Sequence, residues 1–514
     1  MIDLIIVCVY FLVVFGAAIS GRSSKDASIE DYFLNSRKLR WPSIAFSTIA
    51  TNIHGFQFLG FMGSAYLYGL AQANPEINAI QGIFLAAFIF VPMFLRERIV
   101  TVTQFIKTRL GNKVALIYSI SNIVAFATVA LGSGLFWGAY AADLVFADYL
   151  AFIHEDRFIR VSVLIVVLGL FSATYTYMGG LGAVVRTDII QFVILLSGGI
   201  VIMLISIHHL GGWSQLYVKT GDKMHLHLPA DHPKLPWIHL GGAFLLNLNY
   251  WCANQMVIQR SLAARSMKDV QIGLMVGGVM KYFMAALVII PGIALVGILG
   301  ENGLSDPDAA FPYLVKTYLP IGLKGLILCA LFASLMSTVD STFNSLATLW
   351  SIDIYKPYIN KTATDRQVVQ SGKNAILVSF FTGVLMGIWL LFIKLNESGS
   401  SFTHTLNEIR YYINTGIVIL ICVAAFMMTP RQRLVAFVFL GTIPLQIILK
   451  YFFPDMNYFV RPMWVILIGF AVIFFGSKGG FAKNKTYFEP ATPLIGKLGI
   501  AMLLSLGVVH IIFH

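Results

Sequence analysis

The sequence predicts an all-α polytopic membrane protein, built from two halves of opposite orientation with a helix broken in each. Three observations predict it. Of 514 residues, 58% are hydrophobic and only 12% charged, and the mean hydropathy is +0.79, a balance that no water-soluble domain of this length carries. Apolar runs of spanning length recur along the whole chain, and basic residues collect in alternate loops. In one run, amides, a phenol and an indole (Asn249-Tyr250-Trp251-Cys252-Ala253-Asn254-Gln255) interrupt the apolar sequence. Unsatisfied polar groups are costly in hydrocarbon, so such a run faces protein, a cavity or a bound solute.

Fourteen runs are read in order. Span 0 is Asp3 to Ile19, followed by Pro42 to Leu70 (span 1), Ile77 to Leu95 (2), Val114 to Phe146 (3), Val161 to Tyr177 (4), Leu181 to Ile207 (5) and Trp237 to Val257 (6). Then come Ile272 to Leu299 (7), Gly322 to Trp350 (8), Ala375 to Ile393 (9), Tyr411 to Met428 (10), Leu434 to Leu449 (11), Met463 to Phe475 (12) and Leu494 to Phe513 (13). Span 0 does not read as a cleavable signal, because no basic residue precedes it and no small-residue cleavage pattern follows. Cys8, Cys252, Cys329 and Cys422 all lie inside apolar runs, which suggests packing rather than disulfides or a metal cluster.

The net charge of +12 does not imply a nucleic-acid partner, because the bases are divided among loops. Arg22, Lys25, Arg37, Lys38 and Arg40 follow span 0, and Arg96, Arg98, Lys107, Arg109 and Lys113 lie between spans 2 and 3. The alternation continues with Arg260, Arg265 and Lys268, with Lys356, Lys361, Arg366 and Lys373, with Arg431 and Arg433, and with Lys478, Lys483, Lys485 and Lys497. Positive loops stay inside, so both termini are expected outside, extracellular or periplasmic.

Polar interruptions recur five spans apart, at Thr51-Asn52-Ile53-His54-Gly55 in span 1 and in span 6. An odd separation inverts the second unit relative to the first, as inverted repeats require. The expected organisation is span 0 with its cytoplasmic loop (1–41), a first repeat of spans 1 to 5 (42–210), an external loop (211–235), a second repeat of spans 6 to 10 (236–430), and peripheral spans 11 to 13 (431–514). A plain glycine-kinked helix is the alternative reading of span 1. The external loop holds His225, His227 and His232, read as solvated rather than metal-binding. Between spans 7 and 8, Ser305 to Pro312 with the amphipathic Tyr313 to Leu319 reads as an external hairpin.

On span 8, Ser334, Ser337, Thr338 and Ser341 recur at helical spacing and put four hydroxyls on one face. Hard oxygen ligands suit an alkali cation, and unwinding near Asn52 would free the carbonyls of Ala50 and Ile53 for the same ion. Bonding back to the helix or across to a neighbour is the structural alternative. Asp188 at the start of span 5 is an intramembrane carboxylate, either functional or paired with Arg186 or another base. Glu76 and Lys281 also lie near membrane depth, and a mid-span lysine must pair or meet a polar cavity.

These motifs, in this order, resemble the sodium/solute symporter family, specifically its sodium/sugar (glucose/galactose) cotransporter branch. The resemblance runs from span 0 to about span 9. It rests on Ala50-Thr51-Asn52-Ile53, on Tyr177-Met178-Gly179-Gly180-Leu181 with Thr187-Asp188 and Gln191, and on Tyr250-Trp251 with Asn254-Gln255 and Gln259-Arg260. Pro312 with Leu314, and Ala333 to Thr338 leading to Asn344-Ser345 and Asp353-Ile354-Tyr355, complete it.

The resemblance implies a LeuT-type fold of five plus five helices working by alternating access, with sodium as the coupling ion. Its main sodium site would use the carbonyls of Ala50, Ile53 and Ser334 and the hydroxyls of Ser337 and Thr338. Its sugar site would map to Asn52, Gln57, Glu76, Asn247, Tyr250, Trp251 and Lys281, with Asn407 near the span 10 position and Tyr250 capping the inner side. A second sodium would involve Asp188, Thr338 and Ser341, where Asp340 departs from the usual small residue and either strengthens the site or pairs with an arginine. Asn254 and Gln255 are assigned to supporting the broken helix and Arg260 to the cytoplasmic rim.

Span 10 departs further, with Asn407-Glu408-Ile409-Arg410 and then Asn414-Thr415-Gly416 where the branch carries a glutamine and a Gly-Pro-Pro break. Arg410 either binds an acidic group on the solute or forms an external salt bridge with Glu408 or another acid. Ala130 stands where span 3 often supplies a polar residue. The expected function is sodium-driven symport of a small polyhydroxylated solute, a monosaccharide before an acidic sugar, inositol or carboxylate. A sugar-gated sensor or channel without accumulation is the further alternative. No nucleophile and base converge, so no enzyme is expected, and no obligatory protein partner is inferred.

Overall fold

The computed structural model describes all residues except 1, 21–23, 25, 54–56, 302, 397–401, 478–479 and 482–486, together with the side chains of 402–407. Arg22, Lys25, His54, Gly55, Lys478, Lys483, Lys485 and the Asn407 side chain therefore lie outside the described residues. The described chain is helical, with isolated bridges such as Leu39 to Ala264 but no strand. Among the described residues, ten helices are long and apolar enough to cross a membrane. The fourteen expected spans do not map one for one onto them. Spans 4 and 5 form one helical run, Arg157–Leu210, bent at Gly180, and Val460–Gly476 is a shorter apolar helix.

Both expected breaks are present. Trp41–Asn52 ends at Ile53 in extended backbone (φ −90°, ψ 104°), and helix resumes at Gln57. In span 6, His239–Leu248 continues into a π-helical turn, Asn249–Ala253, and stops at Asn254 (φ −73°, ψ 118°). The Asn254 side chain accepts from the Met256 backbone N–H at 2.9 Å and so starts Gln255–Leu262. That is N-capping: an amide oxygen satisfies a donor the break would orphan. Gln255 donates to Val100 O at 3.0 Å and accepts from Val102 N at 3.1 Å, which ties the inner half to the loop after span 2. Both residues thus support the break, as expected.

Span 8 lies at the centre. Its most apolar window is 94% buried, against 22% for span 0, and it packs on spans 3, 4, 5 and 9. Close approach needs small residues: a Cβ on Gly138 would lie 1.7 Å from Leu335 Cδ1. Between spans 7 and 8, the helix Ala310–Tyr318 lies within the expected hairpin, begins three residues before its expected amphipathic part, and buries Phe311, Leu314 and Val315.

Gly180 bends the run of spans 4 and 5 at φ 55°, ψ −143°, and a Cβ there would lie 2.3 Å from Tyr32 O. The Tyr32 hydroxyl in turn donates to the carbonyls of Thr176 and Tyr177, each at 3.1 Å. Gly180→Ala adds backbone strain to a steric clash, so it is expected to destabilise by more than about 1 kcal/mol. Thermal unfolding of the detergent-purified variant checks this: a lower midpoint is expected, and an unchanged one contradicts it.

Candidate solute and cation site

A cavity of about 160 Å³ lies between spans 1, 2, 6, 7 and 10 and is lined by every described member of the expected sugar set. Lys281, 1% exposed on span 7, donates to Glu76 and to Asn52 Oδ1. Gln57 Nε2 donates to the other Glu76 oxygen at 2.6 Å. The mid-span lysine therefore pairs instead of snorkelling, and the pair joins both halves of broken span 1 to spans 2 and 7. Asn247 lines the same cavity. Trp251 is buried against Gly82, where a Cβ would lie 2.7 Å from the indole Cδ1. Tyr250 meets Trp251 edge to face with ring centroids 5.2 Å apart.

A second cavity of about 100 Å³ lies toward spans 3 and 8, lined by Phe126, Ala130, Met256 and Thr338. Tyr250, Arg410 and Asn414 line both cavities. The Tyr250 hydroxyl is buried beside Asn52 without a hydrogen bond of acceptable geometry. Such a group is costly unless something fills its valence.

The cation residues meet where broken span 1 crosses span 8. Ser334 Oγ donates to Ile53 O at 2.7 Å, and Thr338 Oγ1 donates to Ser334 O at 3.1 Å. Thr51 Oγ1 lies 3.5 Å from Ser337 Oγ and 3.0 Å from Ser341 Oγ. Ala50 is buried one turn before the break. These carbonyls and hydroxyls are hard, uncharged donors of the kind sodium takes. A hydroxyl that donates elsewhere still keeps lone pairs for a cation.

Arg260 corrects an expectation. Instead of reaching outward, it is 1% exposed, with Nη2 2.8 Å from Asp188 Oδ2 and 2.5 Å from Ser341 Oγ. Asp188 also accepts from Ser47 and, at 2.5 Å, from Ser337. Its partner is thus Arg260, whereas Arg186 bonds Ser20. Asp340 takes no arginine among the described residues. It accepts from Tyr175 at 2.6 Å, Ser341 at 3.3 Å and Thr187 at 3.4 Å.

Arg410 does not pair with Glu408, which binds Arg461 at 2.6 Å and Lys450 at 3.0 Å. Its Nη2 donates to Ser133 Oγ at 2.6 Å. Span 3 therefore does supply a polar residue, three positions beyond Ala130. Helical spacing from Ala130 was the available signal for Ser133. Thr187 entered only as part of the Thr187-Asp188 motif, and Tyr175 gave no signal, because a hydroxyl inside an apolar run ordinarily bonds its own helix.

Removing one member of a buried ion pair leaves the other uncompensated and costs roughly 3 kcal/mol. Glu76→Gln is accordingly expected to lower the unfolding midpoint, and Glu76→Gln with Lys281→Met to recover most of it. Equal midpoints for wild type and Glu76→Gln contradict the pairing.

The site's relatives are transporters. The chain is 29% identical over 506 residues to a sodium/glucose cotransporter of Vibrio parahaemolyticus, covering 93% of this chain and 90% of that one. It is 27% identical over 468 residues to the sodium/glucose cotransporter 1 of Ovis aries, covering 82% and 68%. Its fold matches that of a Na+-coupled sialic acid symporter solved in a substrate-bound outward-open state, with a TM-score of 0.77 at 21% identity over 92% of this chain and 98% of that one. The model of the sodium:solute symporter family matches residues 32–433, and the chain belongs to that family.

Proposed function

We propose that the chain couples inward movement of sodium to uptake of a small polyhydroxylated solute, a monosaccharide, by alternating access. The observation that carries this reading is the cavity wall. Asn52, Gln57, Asn247 and the Glu76–Lys281 pair offer donors and acceptors to the cavity, and Trp251 and Tyr250 line it with aromatic rings. Such a wall matches the alternating hydroxyl and C–H surfaces of a sugar. The names of the relatives, sodium/glucose cotransporters, support the solute class.

Sodium is assigned to the carbonyls of Ala50, Ile53 and Ser334 and the hydroxyls of Ser337 and Thr338. Bound there, it would hold broken span 1 against span 8 and so favour the arrangement that receives solute. The coupling is thermodynamic and reciprocal. The Arg260 guanidinium already compensates Asp188, which favours one sodium over two. Tyr250, between the two cavities, is assigned to the inner side of the solute and would move to let it pass. The protein is read as a transporter rather than an enzyme, in a plasma or bacterial inner membrane.

We read both termini as lying outside. Asp3 accepts from Gly322 N at 2.8 Å and Gly325 N at 2.6 Å, so the N-terminus shares a side with the segment between spans 7 and 8. Leu226 N donates to Phe513 O at 2.7 Å, so the C-terminus shares a side with the loop after span 5. A cysteine added at either end is expected to react with an impermeant maleimide on intact cells, and protection until lysis contradicts the placement.

Proteoliposomes with an inward sodium gradient are expected to accumulate sugar, and uptake that proceeds equally when potassium replaces sodium overturns the proposal. Thr338→Ala removes a neutral oxygen ligand, and a loss of about 1.4 kcal/mol would raise the sodium concentration for half-maximal uptake about tenfold. An unchanged sodium dependence contradicts the assigned site.

A further inference from the structure

Arg410 brings a charge to the solute cavity that no carboxylate among the described residues balances. The walls of the two cavities hold three ionisable side chains that carry charge at neutral pH, Glu76, Lys281 and Arg410. Glu76 and Lys281 neutralise each other by direct contact. Arg410 has no carboxylate within ion-pair distance among the described residues, and its one hydrogen bond goes to the neutral Ser133. Glu408, two residues before it, is held by Arg461 and Lys450. Arg410 lines both cavities.

An unpaired guanidinium at this depth is tolerated only while water reaches it. Closure over a neutral sugar would strip that water and leave the charge uncompensated. Closure over a solute with one carboxylate would replace the water with a paired anion in the planar, two-pronged geometry that guanidinium favours.

We infer that the solute is a sugar acid, a monosaccharide carrying one carboxylate, and that Arg410 binds that carboxylate while Ser133 holds the guanidinium in place. The sugar ring then lies against Asn52, Gln57, Asn247 and the aromatic pair, on the far side of the shared wall from Thr338. This inference rests on the proposed sodium-coupled sugar uptake and narrows it to one charge class.

The test measures binding of D-glucose, D-galactose, D-glucuronate and D-galacturonate to the purified full chain, by thermal shift in sodium and in potassium. The expected result is sodium-dependent stabilisation in which at least one uronate half-saturates at about a tenfold lower concentration than its parent hexose. Arg410→Gln is expected to cut that uronate-to-hexose preference by about tenfold or more, and Arg410→Lys to keep part of it. Stabilisation by sodium alone reports that each variant is folded, and the wild-type comparison stands without them. A wild type that binds the hexoses as well as or better than both uronates overturns the inference and leaves sodium-coupled sugar uptake standing. A preference that survives Arg410→Gln overturns the role of Arg410. If no sugar of either class stabilises the protein in sodium, the broader proposal fails, and this inference fails with it.

Discussion

The contact of Lys281 with Glu76 is the constraint on which the site depends. A lysine in the middle of a membrane helix must be discharged, hydrated or paired, and here it is paired and buried. Because Asn52 and Gln57 bond the same two groups, the pair also fixes the two halves of span 1 on either side of its break. Broken backbone inside a membrane is stable only where its freed groups meet protein, water or cargo. Asn254 does this for span 6, and the span 8 hydroxyls do it for span 1, where Ser334 takes Ile53 O.

This arrangement places the two candidate sites close together on the same element. Ala50 and Ile53, proposed cation ligands, end the first half of span 1, and the cavity residues Asn52 and Gln57 flank the same break. An ion that tightens span 1 against span 8 necessarily acts on the solute wall, because Asn52 lies within the same turn as Ala50 and Ile53. Sodium moving through a full 100 mV contributes about 2.3 kcal/mol, or about 50-fold in accumulation, so coupling through this one break is enough to concentrate a solute substantially.

Much of this was legible in the sequence. Hydropathy gave the membrane class, helical spacing put Ser334, Ser337, Thr338 and Ser341 on one face, and the polar interruptions located both breaks. Lys281 announced a partner because its position left it no route to water. What escaped was long-range pairing. Arg260 looked like one more member of a basic loop, yet it turns inward to Asp188 across 72 residues of chain, and its neighbours do not encode that turn. Glu408 was one candidate partner for Arg410, but Arg461 on another helix competes for the carboxylate and wins. Helical spacing from Ala130 pointed toward Ser133, but only span 10 laid beside span 3 shows that it meets Arg410.

The central claim is that sodium and solute act on one another through the break in span 1. It is tested most directly by measuring solute affinity with and without saturating sodium, and sodium affinity with and without saturating solute, on the same purified protein. The account predicts that each ligand tightens the other, and by the same factor. A solute affinity that sodium leaves unchanged would contradict it.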